Sequence, residues 1–196
     1  MKVVIIGGGP AGMLSAISAG TNKNDVTILE KMNMLGRKLL ITGKGRCNIT
    51  SSIPIDEFIK NVPGNGKFLY SCLNNFTNED ILNILKEEGL QTKVERGNRV
   101  FPITDKSQDV LQALLNRLKK LKVKIEVGAN VKEILTEQDI VNGVKYIQGG
   151  KEKVIKADQL IDYIKKHEQS AFRNQKDMIA MADGLLSYHQ KQEIPP

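Results

Sequence analysis

Three glycines and one acid hold the first chemistry that this sequence offers. The apolar run Val3-Val4-Ile5-Ile6 leads into Gly7-Gly8-Gly9-Pro10-Ala11-Gly12, and a second apolar run, Val26-Thr27-Ile28-Leu29, ends on Glu30. A strand, a glycine turn, a helix and an acid-terminated strand form the phosphate-and-ribose grip of a dinucleotide-binding βαβ unit. Gly7 permits the tight turn, Gly9 lets the backbone approach a pyrophosphate, and Gly12 lets the helix pack closely on the strand. Pro10 opens the helix where its missing N–H costs nothing, and Ala11 follows it, so free donors and the positive end of the helix dipole face the diphosphate. Glu30 follows Gly12 at close to the roughly twenty-residue spacing of the fingerprint. A carboxylate there accepts hydrogen bonds from ribose hydroxyls and repels a 2′-phosphate, which favours FAD or NAD over NADP. The competing reading is a plain strand-to-helix connection with a solvated Glu30.

A second chemical feature begins shortly after Glu30. The segment Gly36-Arg37-Lys38-Leu39-Leu40-Ile41-Thr42-Gly43-Lys44-Gly45-Arg46-Cys47-Asn48-Ile49-Thr50 combines close-approach glycines with the cations Arg37, Lys38, Lys44 and Arg46. It reads as an ordered loop around a ligand; the alternative is a flexible basic surface loop. Cys47 and Cys72 are the only cysteines and form neither a CxxC pair nor a zinc-ligand cluster, so no metal site is expected.

The elements that must position these residues follow from periodicity. Residues 54–90 suggest helices, with Ile55, Phe58 and Ile59 on one face, Thr77 as a cap before Ile81, Leu82, Ile84 and Leu85, and Gly89 as a stop. Pro63-Gly64-Asn65-Gly66 is a turn between them, and Gln91 to Phe101 suggests a strand pair turning at Gly97-Asn98. Ser107 to Leu121 is amphipathic, apolar at Val110, Leu111, Leu114, Leu115, Leu118 and Leu121. Val123 to Val127 reads as a strand of the parallel sheet. Val131 to Leu135, Gly143 to Ile147 and Lys153 to Ile155 read as a small antiparallel meander covering the sheet's edge, with turns at Asn142-Gly143 and Gly149-Gly150.

The chain has 196 residues, 40% of them apolar, enough for a real core. Its formal charge is +7, but the cations are dispersed, as at Lys119-Lys120 and Lys165-Lys166, so a solvated basic surface is favoured over a nucleic-acid partner. No apolar run approaches the roughly eighteen residues of a membrane span, and Met1 to Ile6 is too short for a signal peptide, so a cytoplasmic location is the default.

With these motifs in place, the chain resembles the BaiN-like flavoproteins, the NAD(P)/FAD-dependent or aminoacetone-oxidase-family oxidoreductases. Val4 to Gly12, Glu30-Lys31, the Gly36 to Thr50 segment and Val94-Glu95-Arg96-Gly97-Asn98-Arg99-Val100-Phe101-Pro102 carry the resemblance over residues 1–158. It implies an α/β, Rossmann-like FAD-binding domain with a parallel sheet, a helical and hairpin insertion at about 53–105, and the meander. FAD is the implied cofactor, with its pyrophosphate at Gly7, Gly9 and Gly12 and its adenosine ribose at Glu30, and with Pro10, Ala11 and Lys31 as further cofactor-binding residues. The stretch through Arg37, Lys38, Thr42, Gly43, Lys44, Arg46 and Asn48 would run toward the ribityl chain and isoalloxazine. Lys44 or Arg46 would stabilise a reduced ring, with NAD(P)H as an electron donor. Val131 would contact adenine through its backbone; core packing is the alternative. The small-molecule redox substrate stays open.

The family pattern breaks after Ala157-Asp158. Family members continue through a strand ending in an Ala-Thr-Gly-Gly turn, whereas Gln159 to Lys166 lacks it. Residues 159–196 read as a divergent tail of one or two amphipathic helices, with a faint echo of a family motif at Met178 to Leu186, and a truncated or frameshifted product is the expectation. His167 and His189 read as solvated tail residues, and no general acid or base is nominated. A catalytically incompetent dinucleotide-binding module is the alternative function, and a tRNA-associated flavoprotein a further one. An exposed sheet edge would favour a homo-oligomer.

Overall fold

A computed structural model describes residues 1–138 and 140–162. Among these, β1 (Lys2–Ile6), α1 (Pro10–Thr21) and β2 (Asp25–Glu30) form the leading βαβ unit. After the short helix α2 (Arg37–Ile41) come β3 (Thr50–Ser51), α3 (Ile55–Lys60), α4 (Tyr70–Asn75) and α5 (Asn78–Glu87). The hairpin β4 (Thr92–Glu95) and β5 (Arg99–Pro102) precedes α6 (Ser107–Lys120) and β6 (Lys124–Val127). The meander β7 (Asn130–Glu137), β8 (Ile140–Gln148) and β9 (Lys151–Lys156) leads to β10 (Gln159–Asp162).

Strands β10-β1-β2-β6 form one parallel sheet in that order. Alternation along β1 splits the core in two. Val3 and Ile5 face the helical layer, packing with Met13, Ala16 and Ile17 of α1 and Val110, Leu114 and Leu118 of α6. Val4 faces the other way, with Leu29, Val144, Tyr146 and Ala157. A strand buried on both sides must be apolar at every position, which is why its sequence shows no alternation. The meander therefore covers a face of the parallel sheet, not its edge as the sequence suggested.

Two other expectations change. Asn142-Gly143 is not a turn but lies inside β8, at a register shift where Leu135 faces Gly143 and Thr136 faces Val141. A Cβ at Gly143 would sit 2.5 Å from the Ile155 carbonyl oxygen, so this glycine permits close strand approach. Gln159 to Asp162, expected as the start of a helical tail, is strand β10. Leu160 packs on the meander side and Ile161 on the helix side, a two-faced burial that a short apolar run cannot distinguish from a helix. Asp158 fixes its register, donating its N–H to the Lys2 carbonyl at 2.9 Å and accepting the Lys2 N–H at 2.7 Å. The sheet thus extends past residue 158. The remainder of the expected tail, with Met178 to Leu186, His167 and His189, lies outside the described residues.

The insertion forms a separate three-stranded sheet, β3-β5-β4, beside α3, α4 and α5. Thr77 caps α5 as expected, in a capping box with Asp80. Among the described residues no helix is long and apolar enough to cross a membrane.

Candidate functional site

The glycine turn stands at the carboxyl ends of β1 and β2, where ligands of open α/β sheets bind. Gly7 has φ +100°, a conformation that L side chains avoid, and its N–H donates to the Leu29 carbonyl at 2.9 Å. A Cβ at Gly12 would lie 1.9 Å from the Gly7 carbonyl oxygen, so Gly12 is required by the turn's own backbone as well as by the strand. A Cβ at Gly9 would meet nothing within 4 Å; that side of the backbone is open. Gly9 is the N-cap of α1, Pro10 opens the helix, and no side chain caps it. The first helical bond runs from Met13 N–H to Gly9 at 2.9 Å, leaving the Ala11 and Gly12 amides without an intrahelical acceptor. Pro10 and Ala11 are exposed.

Glu30 holds the turn from below. One carboxylate oxygen accepts the Gly8 N–H at 2.6 Å and the other accepts the Met32 N–H at 2.7 Å. A carboxylate offers about four lone-pair sites, so Glu30 keeps roughly half its acceptor capacity for another donor. The chain returns to this point from far along the sequence, since Ala129 N–H donates to the Glu30 carbonyl and Gly128 N–H to Met32, both at 2.8 Å. Val131 follows on β7, half-buried opposite Tyr146 and packed beside Val4 and Leu29. Lys31 is exposed at the same rim.

Sequence reasoning missed Gly8 and the residues that lock it. A Cβ at Gly8 would sit 2.5 Å from Leu35, and the Gly8 carbonyl accepts the Gly36 N–H at 2.8 Å. Gly36, at φ +71°, then starts α2. This hydrogen bond attaches the cationic segment directly to the glycine turn. Leu35, which follows Met34 directly before the segment-opening Gly36, was the available signal.

The segment is ordered, as α2 followed by a tight turn over Thr42–Gly45. Arg37, Lys38, Lys44 and Asn48 are exposed. Thr42 Oγ1 donates to the Leu39 carbonyl at 2.8 Å, and Gly43, Lys44 and Cys47 are all left-handed, at φ 56°, 58° and 63°. Burial pushes the Cys47 thiol pKa up, which leaves it a protonated packing residue.

Arg46 turns into the hairpin. Its guanidinium donates to Asp105 Oδ1 from Nε at 2.9 Å and from Nη2 at 2.6 Å, pairs with Glu95, and stacks 4.2 Å from the centroid of the Phe101 ring. Lys93 joins the same cluster, 2.6 Å from Asp105 and 3.5 Å from Glu95. The Arg46 hydrogen bond holds the Glu95 carboxyl below the usual carboxylate range, and Lys93, then Arg46, do the same for Asp105. Among the described residues no cluster of His, Cys, Asp and Glu is arranged to hold a metal.

The geometry thus places an open, uncapped helix N-terminus, a carboxylate with spare acceptor capacity and a rigid cationic turn along one continuous backbone path. It can bind an elongated anion that carries hydroxyl groups. Known proteins are similar to this chain. The chain is 35% identical over 136 residues to the 3-dehydro-bile acid delta(4,6)-reductase of Clostridium scindens, covering 68% of this chain and 32% of that protein. It is 25% identical over 132 residues to the ribosomal RNA dihydrouridine synthase of Haemophilus influenzae, covering 67% and 32%. The chain thus spans about a third of the length of these curated relatives. The solved 3-ketosteroid-delta4-(5alpha)-dehydrogenase of Rhodococcus jostii RHA1 shares the fold, with a TM-score of 0.59 at 17% identity over 82% of this chain and 44% of that one. A family model described as the HI0933-like protein Rossmann domain matches residues 1–163, and through that domain the chain belongs to the HI0933-like family.

Proposed function

We propose that this chain carries the FAD-binding domain of a flavin-dependent oxidoreductase. The observation that carries the reading is the uncapped N-terminus of α1 behind the open side of Gly9, with Glu30 beside it. These residues fit the dinucleotide. The Ala11 and Gly12 amides would hold the diphosphate, assisted by the helix dipole. The unused lone pairs of Glu30 would accept ribose hydroxyls, and its charge disfavours a 2′-phosphate. The Val131 backbone would reach adenine, and Lys44, left unpaired with any carboxylate in the ion pairs described, would bring positive charge toward the ring.

Bound FAD supplies a ring that accepts and returns two electrons with a proton, here with NAD(P)H as the proposed donor. What the protein contributes is grip, orientation and electrostatics. The left-handed Gly43-Lys44 turn fixes where that charge sits, and Lys44 would favour an anionic reduced state.

Visible absorption of the purified chain and an FAD titration, with and without Glu30→Ala, test the reading. Flavin bands and an affinity that falls on removing Glu30 support it; a colourless protein that ignores FAD overturns it. A second reading is binding of FAD without turnover. Flavin that is retained but not bleached by NADH or NADPH would select it.

A further inference from the structure

Two of the segments that carry the family resemblance, residues 36–50 and 94–102, lie against one another. Phe101 is buried beneath the turn, and a Cβ at Gly43 would sit 3.1 Å from its ring. Arg46 covers the ring face and reaches Asp105 and Glu95, while Ser107 Oγ donates to the Leu40 carbonyl at 3.0 Å at the end of α2. Ile49 N–H donates to the Val100 carbonyl at 2.8 Å. The turn is therefore held at Leu40, Gly43, Arg46 and Ile49 by residues of one short stretch, 95–107. At its other end Gly36 is bonded to Gly8, so the hairpin and the glycine turn share a rigid connection.

We propose that Arg46 is a positioning residue: clamped by Asp105 and Glu95 over Phe101, it sets the Thr42–Cys47 turn, with its left-handed Gly43, Lys44 and Cys47, and thereby the placement of Lys44, without itself touching the cofactor. This rests on the FAD reading for what the turn meets, but not for the clamp. The geometry separates the two cations of the turn. Arg46 has its charge answered by two carboxylates, with its planar fork engaged by Asp105 and its face by an aromatic ring. Lys44, held at φ 58° between two glycines, is exposed. A residue that costs strain to keep left-handed needs surroundings that over-determine it, and the clamp supplies them.

The test uses the full chain with Arg46→Gln, Arg46→Lys, Asp105→Asn and the Arg46→Gln/Asp105→Asn pair. Amide hydrogen exchange without FAD reads the turn directly, with β1 and β2 amides as the control for an intact fold. Exchange over 42–47 should quicken about two- to thirtyfold in each variant, the range found when residues that act through others are changed. FAD dissociation constants should weaken by a similar factor, equally for Arg46→Gln, Arg46→Lys and Asp105→Asn, and no further in the pair. Lysine fails to rescue because it cannot fork or stack as arginine does. Unchanged exchange in the turn overturns the clamp. So does full FAD binding by Arg46→Lys alongside a loss in Arg46→Gln and none in Asp105→Asn, the pattern of a direct charge contact. A wild-type chain that ignores FAD overturns the FAD reading instead, and exchange alone then decides the clamp.

Discussion

Alanine at Gly9 and at Gly12 should separate binding from folding within one four-residue turn. At Gly12 the new methyl would lie 1.9 Å from the Gly7 carbonyl oxygen and 3.1 Å from its carbon, and both belong to a backbone already committed to φ +100°. Overpacking of this kind costs about 1–3 kcal/mol, and at roughly 2–4 °C per kcal/mol for a chain of this size the midpoint should fall by about 2–12 °C. Gly9 has φ −75°, which alanine adopts freely, and open space where the methyl would go. Its poorer capping is offset by the lower entropy of the unfolded chain, so the net change should stay within about 1 kcal/mol. Binding should respond differently. The Gly9 methyl would occupy the face from which a diphosphate reaches the Ala11 and Gly12 amides. Losing one charge-assisted hydrogen bond of about 1.5–3 kcal/mol weakens FAD about ten- to 150-fold. Thermal denaturation of the FAD-free chain and FAD titration measure the two effects. A Gly9→Ala chain that melts normally and binds FAD as tightly as the wild type would refute the assignment of this turn to the diphosphate.

Other expectations follow from the same geometry. Glu30→Gln places an amide N–H₂ against either the Gly8 or the Met32 donor, so FAD affinity should drop about tenfold or more by titration. Glu95 and Asp105 have carboxyl pKa values depressed by their cationic partners, so their contribution to stability is full above the ordinary carboxylate range and is lost as pH falls through the depressed values. Melting midpoints should therefore fall below about pH 4, and less steeply in Asp105→Asn. At the α5–α6 contact the Glu88 side chain is 2% exposed and pairs with Lys120 at 2.7 Å. Lys120→Met should cost about 1–3 kcal/mol in denaturant unfolding, because it leaves the buried Glu88 carboxylate with only the longer Arg117 pair at 3.7 Å. Gly143→Val should open the β8–β9 ladder, seen as faster amide exchange at Ile155 and Lys156 with β1 unaffected.

The βαβ unit was legible because each of its parts is local: a turn needing positive φ, a proline-started helix and an acid at a strand end all fall within thirty residues. The Thr77 cap and the α6 stripe were readable for the same reason. Long-range pairings were not. Nothing local marks Arg46, and not Lys44, for Asp105 and Glu95, since both are cations beside glycines. The Asn142-Gly143 pair carries the composition of a hairpin turn, but the need for a side-chain-free crossing beside Ile155 prevailed. In β10 the local composition suggested helix, and pairing with β1 overrode it.

That pairing has a consequence for synthesis. The interior strand β1 is laid down before both of its partners, and one of them, β10, begins only at Gln159, in register with Val3. At roughly 5–20 residues per second, about 8–30 s separate their emergence from a ribosome. Through that interval β1 can pair with β2 but has a bare, apolar second edge, the kind of edge that recruits strands from other chains. Pauses in translation before Gln159 lengthen the exposure, so yield of soluble protein should track how quickly the meander is translated.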